Sequence, residues 1–196
     1  ISLANGGGMT IASQAATLAL TLEKVGTDKG DAGLTFSAAP TTLNVKSVGN
    51  NYIDLSAKAT KTLNVSGTGV LKADPTDLAA LETVKVTETA GLTLGDVAAT
   101  VTSVDTSATT GAVSVTIAGD KAIYTGGAGV DTVTLTSGTA LTKAIDLGAG
   151  DDTLSYAAVA VSGSSAVLNG GDGIDTLSMN AARAVALGGA TQTFYT

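Results

Sequence analysis

Three stretches of this 196-residue chain place glycines and an aspartate in one spacing: Gly126-Gly127-Ala128-Gly129-Val130-Asp131-Thr132-Val133-Thr134, Leu147-Gly148-Ala149-Gly150-Asp151-Asp152-Thr153-Leu154-Ser155 and Gly170-Gly171-Asp172-Gly173-Ile174-Asp175-Thr176-Leu177-Ser178. Each fits a nonapeptide with Gly first, second and fourth, Asp sixth and a large apolar residue eighth, except that Leu147 replaces the first Gly of the second. Alternating glycines reach backbone φ values closed to other residues, so successive carbonyl oxygens can turn toward one concavity. The sixth-position Asp adds a carboxylate, and the apolar eighth residue starts a strand that points inward. A donor set of hard oxygens suits Ca²⁺, which takes roughly six to eight of them at about 2.3–2.6 Å. One turn supplies only part of such a shell. Two turns on adjacent coils supply the rest, which predicts sites between Asp131 and Asp152 and between Asp152 and Asp175. A tight corner alone would explain any single turn, but three with Asp always sixth favour the metal. Asp151 and Asp172 are expected to face water.

Such turns have to be held one above another, and the chain carries a repeat that does so. Thr42-Leu43-Asn44-Val45 returns as Thr62-Leu63-Asn64-Val65 and, altered, as Thr83-Val84-Lys85-Val86 and Ser103-Val104-Asp105-Thr106. Aligning Leu43, Leu63, Val84, Val104, Ile123, Ile145 and Val167 gives steps of 20, 21, 20, 19, 22 and 22. A second apolar run follows within each unit, such as Ile53-Asp54-Leu55, Leu92-Thr93-Leu94, Val113-Ser114-Val115, Val133-Thr134-Leu135 or Leu154-Ser155-Tyr156. A strand-turn-strand unit this small cannot bury its own apolar face, but stacked at about 4.8 Å per rung it builds a continuous core. The expected fold is all-β, a right-handed parallel β-helix or β-solenoid with about 20–22 residues per coil.

One segment breaks the pattern. Asp74-Pro75-Thr76-Asp77-Leu78-Ala79-Ala80-Leu81-Glu82 has an N-cap acid, Pro at the first helical position and apolar residues three apart, which predicts a short helix near 75–82. Residues 1–40 read as N-terminal rungs or a linker: Met9 to Leu22 suits a strand pair or a helix, and Leu20, 23 before Leu43, marks a candidate earlier rung. Residues 41–121 read as a solenoid with degenerate turns, and 122–196 as the calcium-binding solenoid continuing beyond the segment. Gly49-Asn50-Asn51-Tyr52-Ile53-Asp54-Leu55 keeps an acid and Gly67-Thr68-Gly69-Val70-Leu71 has none, so Asp54 is read as part of a solvated polar turn, like Asp28 and Asp31.

Composition agrees with many short strands. The chain has 25 Gly, only two Phe and four Tyr, and no Cys, His or Trp, so its core rests on small and β-branched side chains. A net charge of −7 argues against nucleic acid, whose phosphates call for clustered Lys and Arg. No apolar run reaches the roughly 18–20 residues that cross a bilayer. Catalysis has little to work with: no His or Cys, no Gly-x-Ser-x-Gly elbow, no P-loop, and an Asp151-Asp152 pair already accounted for by a turn. The chain therefore reads as non-enzymatic. Opening at Ile1 and stopping at Phe194-Tyr195-Thr196, it also reads as a segment of a larger protein.

From Gly126 to Ser178 the nonapeptides resemble those of the RTX (repeats-in-toxin) proteins. That resemblance implies Ca²⁺ ligands from the carboxylates of Asp131, Asp152 and Asp175, with carbonyls from three groups: Gly126, Gly127, Ala128 and Gly129; Leu147, Gly148, Ala149 and Gly150; and Gly170, Gly171, Asp172 and Gly173. RTX nonapeptides usually run in direct tandem, whereas here the Asp positions lie 21 and 23 apart, which predicts one motif per coil and one row of calcium along one edge. Coil spacing, composition and the run from Thr62-Leu63-Asn64-Val65 through Asn169-Gly170-Gly171-Asp172-Gly173 are similar to the bacterial surface-layer (S-layer) proteins of the Caulobacter type, over roughly the last two-thirds of the chain. The similarity implies type I secretion, an extracellular place on the cell surface, and self-association into a lattice whose subunits are stabilised by Ca²⁺. It also leaves cell-surface polysaccharide to another part of the parent protein, with no nucleic-acid partner and no membrane insertion. The alternative is an extender or binding module of a secreted RTX adhesin or filament. In either case low calcium would leave the acidic rungs loose and extracellular calcium would lock them.

Overall fold

The computed structural model of the chain describes residues 7–74, 77–97, 99–136, 140–156, 166–179 and 192–193. Strands alternate between two nine-stranded sheets. One sheet takes β1 (Gly8–Ile11), β3 (Ala32–Phe36), β5 (Asn51–Ser56), β7 (Val70–Ala73), β9 (Gly91–Asp96), β11 (Val113–Ile117), β13 (Thr132–Leu135), β15 (Thr153–Tyr156) and β17 (Thr176–Met179). The other takes β2 (Thr17–Glu23), β4 (Thr42–Val48), β6 (Thr62–Gly67), β8 (Thr83–Glu88), β10 (Ser103–Thr109), β12 (Ile123–Thr125), β14 (Ile145–Asp146), β16 (Leu168–Asn169) and β18 (Gln192–Thr193). Neighbouring strands in both sheets pair in parallel, one coil apart, so the chain is a parallel β-solenoid. The first 40 residues join the same stack, with β1 on β3 and β2 on β4. Leu20 thus belongs to an earlier rung, but it pairs with Val45 and not with Leu43.

The core lies between the sheets and is built by alternation. In β4, Leu43 and Val45 are buried while Thr42 and Asn44, which alternate with them, are partly exposed; in β9 and β11, Leu92, Leu94, Val113 and Val115 are buried in the same way. Pairing corrects the alignment of the core column at two rungs. Val104 stands beside Tyr124, Tyr124 beside Ile145, and Ile145 beside Leu168. Tyr124 and Leu168 are fully buried, whereas Ile123 and Val167 turn outward and are 45% and 49% exposed. A one-residue slip reverses the face of every side chain, and hydrophobicity alone does not decide between adjacent apolar residues.

The short helix expected near 75–82 is described only from Asp77 on, where one 3₁₀ residue gives way to a turn. Of its described residues only Asp77 has 3₁₀ geometry, and Leu81 N–H donates to the Leu78 carbonyl at 2.9 Å. Leu78 and Leu81 are fully buried, and Glu82 N–H is committed to the Lys61 carbonyl of the preceding coil at 2.8 Å. Pro75 and Thr76 lie outside the described residues. Among the described residues no helix is long and apolar enough to cross a membrane.

Candidate metal-binding edge

The strands of the second sheet shorten along the stack, from seven residues in β10 to three in β12 and two in β14 and β16. The Gly-rich turns take up the chain that those strands release. Each nonapeptide carries the chain from this sheet to the next strand of the other, and its sixth residue stands immediately before β13, β15 or β17. Pairing of Ser114 with Thr132, Thr132 with Thr153, and Thr153 with Thr176 stacks Val113, Asp131, Asp152 and Asp175 in one column. The same column runs back through Leu92 and Leu71 to Asn51. The sixth-position Asp therefore occupies a core slot: Leu71 and Leu92 are fully buried, and Asp131 and Asp152 are 0% and 1% exposed.

A carboxylate in a core slot needs donors, and the coil below provides one each time. Val113 N–H donates to Asp131 Oδ1 at 2.9 Å, Asp131 N–H to Asp152 Oδ1 at 2.6 Å, and Asp152 N–H to Asp175 Oδ1 at 3.0 Å. Asn51 does the same at the head of the column, its Oδ1 accepting from Val25 N–H at 2.8 Å.

The second oxygens divide the three turns. Tyr124 O–H donates to Asp131 Oδ2 at 2.7 Å and lies 3.3 Å from Thr106 Oγ1. Burial and the Asp131 charge hold the Tyr124 phenol well above its usual range, so it remains a donor. Asp152 Oδ2 and Asp175 Oδ2 are buried with no hydrogen-bond partner. Burial raises the Asp152 carboxyl to about 6, with the charges of Asp131, Asp175 and Asp151 adding to it. Burial also raises Asp131, against the bonds from Tyr124, Val113, Gly127 and Thr106.

Backbone conformation makes the same division. Gly148 and Gly150 have φ of +94° and +134°, and Gly171 and Gly173 have +94° and +132°, while Gly127 and Gly129 of the first turn are not in the left-handed region. The second and third turns are thus one conformation repeated. Ala149 bridges Asp172 in parallel between them; Asp172 N–H donates to the Gly148 carbonyl at 2.9 Å, and Gly150 N–H to the Asp172 carbonyl at 2.8 Å. A Cβ on Gly171 would strike the Gly148 carbonyl oxygen, so only glycine fits there.

Among the described residues no three acidic side chains converge, so a cation here would draw chiefly on backbone carbonyls with one or two carboxylates. Gly127 and Gly148 carbonyls each accept a bond from the next coil, from Ala149 and Asp172, and keep a second lone pair. The unsatisfied buried oxygens of Asp152 and Asp175 fit a hard cation. Asp131 stands in the column as expected, but both its oxygens are engaged. Asp151 is exposed and accepts from Ile174 N–H at 2.9 Å, and Asp172 is exposed. Asp28, Asp31 and Asp54 are exposed too, Asp54 being displaced from the column, where Asn51 stands.

The sequence reading missed Tyr124, Thr106 and Asn51. A Tyr seven residues before the sixth-position Asp is the available signal, masked by the more hydrophobic Ile123 beside it. Comparison with family models, curated proteins and solved structures gives no match to the chain.

Proposed function

We propose that this chain is a structural, non-catalytic segment of a secreted bacterial protein, a calcium-stabilised β-solenoid that assembles into a surface layer. One observation carries the calcium reading: two adjacent rungs with the same turn conformation bury carboxylate oxygens, on Asp152 and Asp175, that no hydrogen bond satisfies. An unsatisfied buried charge is costly. Asp152, Asp175 and the carbonyls of the second and third turns are the residues that would hold the ion, which would supply charge neutralisation between coils. Without it, Asp152 either carries an uncompensated charge or takes up a proton, and the rungs beyond β13 lose stability relative to those before it. The lattice role is supported by the resemblance of the repeats and turns to the surface-layer family, and the two nine-stranded sheets give such a subunit extended faces.

Isothermal titration and thermal melting followed by circular dichroism, first in EDTA and then in roughly 0.1–10 mM CaCl₂, test the calcium reading. Saturable binding is expected, with about 3 kcal/mol of stabilisation at a hundredfold excess over Kd. Asp152→Asn should lose most of it. No binding heat and an unchanged melt would reduce the turns to corners. Electron microscopy of the calcium-loaded chain then separates ordered sheets from the filaments expected of an adhesin extender.

A further inference from the structure

On the outer face of the first sheet, well before the acidic turns, Asn50, Asn51, Tyr52, Val70, Lys72 and Thr93 line a cavity of about 240 Å³. Tyr52, Lys72 and Thr93 are register partners on β5, β7 and β9, so their side chains stand side by side at about 4.8 Å intervals. Val70 pairs with Gly91, and its methyl packs over the glycine where a side chain would otherwise stand. The Lys72 ammonium rests over the Tyr52 ring, 5.8 Å from its centroid. The ion pairs among the described residues join Lys58, Lys61, Lys85 and Lys121 to acids and leave Lys72 out, although exposed Asp54 lies two residues along β5 from Tyr52.

We propose that this groove binds an acidic saccharide. Its lining combines an aromatic ring and a Val methyl for the C–H face of a sugar, the Asn50 amide and the Thr93 hydroxyl for its hydroxyls, and one ammonium for a carboxylate. It contains no carboxylate of its own in a chain of net charge −7. The space admits a single sugar ring. Beyond Thr93 the same outward position is held by Ser114, Thr132, Thr153 and Thr176 on successive strands, so further units of a glycan running along the stack would meet hydroxyls, whereas a bare anion would gain nothing from them. The groove itself stands apart from the calcium reading, because none of the residues that line it belongs to the Gly-Asp turns.

Titration of the full chain with trigalacturonate, maltotriose and inorganic phosphate at one fixed calcium concentration tests it. Trigalacturonate should bind saturably, with maltotriose and phosphate at least about tenfold weaker, the factor expected for one charge-assisted hydrogen bond. Lys72→Met should weaken trigalacturonate about tenfold, and Tyr52→Leu should weaken both sugars, with melts unchanged because both side chains face outward. Lys72→Met also separates groove binding from bridging of the probe through calcium, since it leaves Asp152 and Asp175 intact. Equal affinity for maltotriose, phosphate as strong as the sugar acid, an unaltered Lys72→Met, or no binding by about 10 mM each overturn the proposal.

Discussion

The same inward column is filled by Leu71, Leu92 and Val113 in the middle of the stack and by Asp131, Asp152 and Asp175 toward its C-terminal end. Backbone pairing is parallel and one coil apart in both regions, so the fold tolerates either chemistry in that slot. What differs is how the slot is stabilised. The apolar rungs gain from burial, a term that needs no ligand and no particular pH. In the acidic rungs one oxygen is satisfied by the coil below, and the last two leave the other without a partner. Within this column the need for a counter-ion falls on the rungs of Asp152 and Asp175; outside it Asp120 also buries an unpartnered carboxylate oxygen, beside the Lys121 ammonium at 3.7 Å.

The largest test of this contrast is a cavity in the apolar region. Leu92→Ala removes a fully buried side chain and should cost about 2–5 kcal/mol in denaturant unfolding. The loss should be the same in EDTA and in calcium. If calcium restored the stability, the two regions would not be independent and the comparison would collapse.

Tyr124→Phe asks whether the first acidic rung can be made to behave like the other two. The substitution removes the O–H that satisfies Asp131 Oδ2 and leaves the ring in place. An unsatisfied buried acceptor costs about 1–3 kcal/mol. Equilibrium unfolding in EDTA should show that loss. No change would mean that Asp131 Oδ2 has another donor available, and the boundary between the regions would then lie elsewhere.

The fold was legible because the period is written in the residues that the core requires. Leu43, Leu63, Val84 and Val104 align and bury as read, and the second apolar runs all fall in the first sheet. Legibility failed where adjacent residues compete for one slot. Ile123 is more hydrophobic than Tyr124, yet the Tyr points inward because its O–H has Asp131 and Thr106 to meet there. In the segment near 75–82 helical geometry does not extend past Asp77 among the described residues, because the ladder bond from Glu82 N–H to the Lys61 carbonyl overrides propensity there. For the site, the Gly-Asp spacing identified the column but not its inequality. Nothing in the nonapeptide pattern reports that Gly127 and Gly129 avoid the left-handed conformation taken by Gly148 and Gly150, or that a Tyr on the neighbouring sheet completes the first Asp.

The effect most specific to the acidic rungs is a pH dependence without calcium. In the folded chain Asp152 keeps its proton up to about pH 6, whereas an unfolded Asp releases it near about 3.9. Between those values the folded state binds more protons, so stability in EDTA should rise as pH falls through 6 and level off near the unfolded value. The gain is on the order of 2 kcal/mol, with Asp131 contributing in the same direction because burial raises it as well. Asp152→Leu gives this rung the side chain that Leu92 has one region earlier. In EDTA at neutral pH it should melt no lower than the parent, since replacing a poorly compensated buried charge with a hydrophobe is often neutral or stabilising. It should also lose most of the acid stabilisation and the response to calcium. Thermal melts of both chains from about pH 8 to pH 4, with and without calcium, measure all three. A parent that weakens steadily on acidification, or an Asp152→Leu chain that keeps the full pH dependence, would mean that Asp152 is neutralised by a neighbour in the folded chain, and the distinction between apolar and acidic rungs would lose its physical basis.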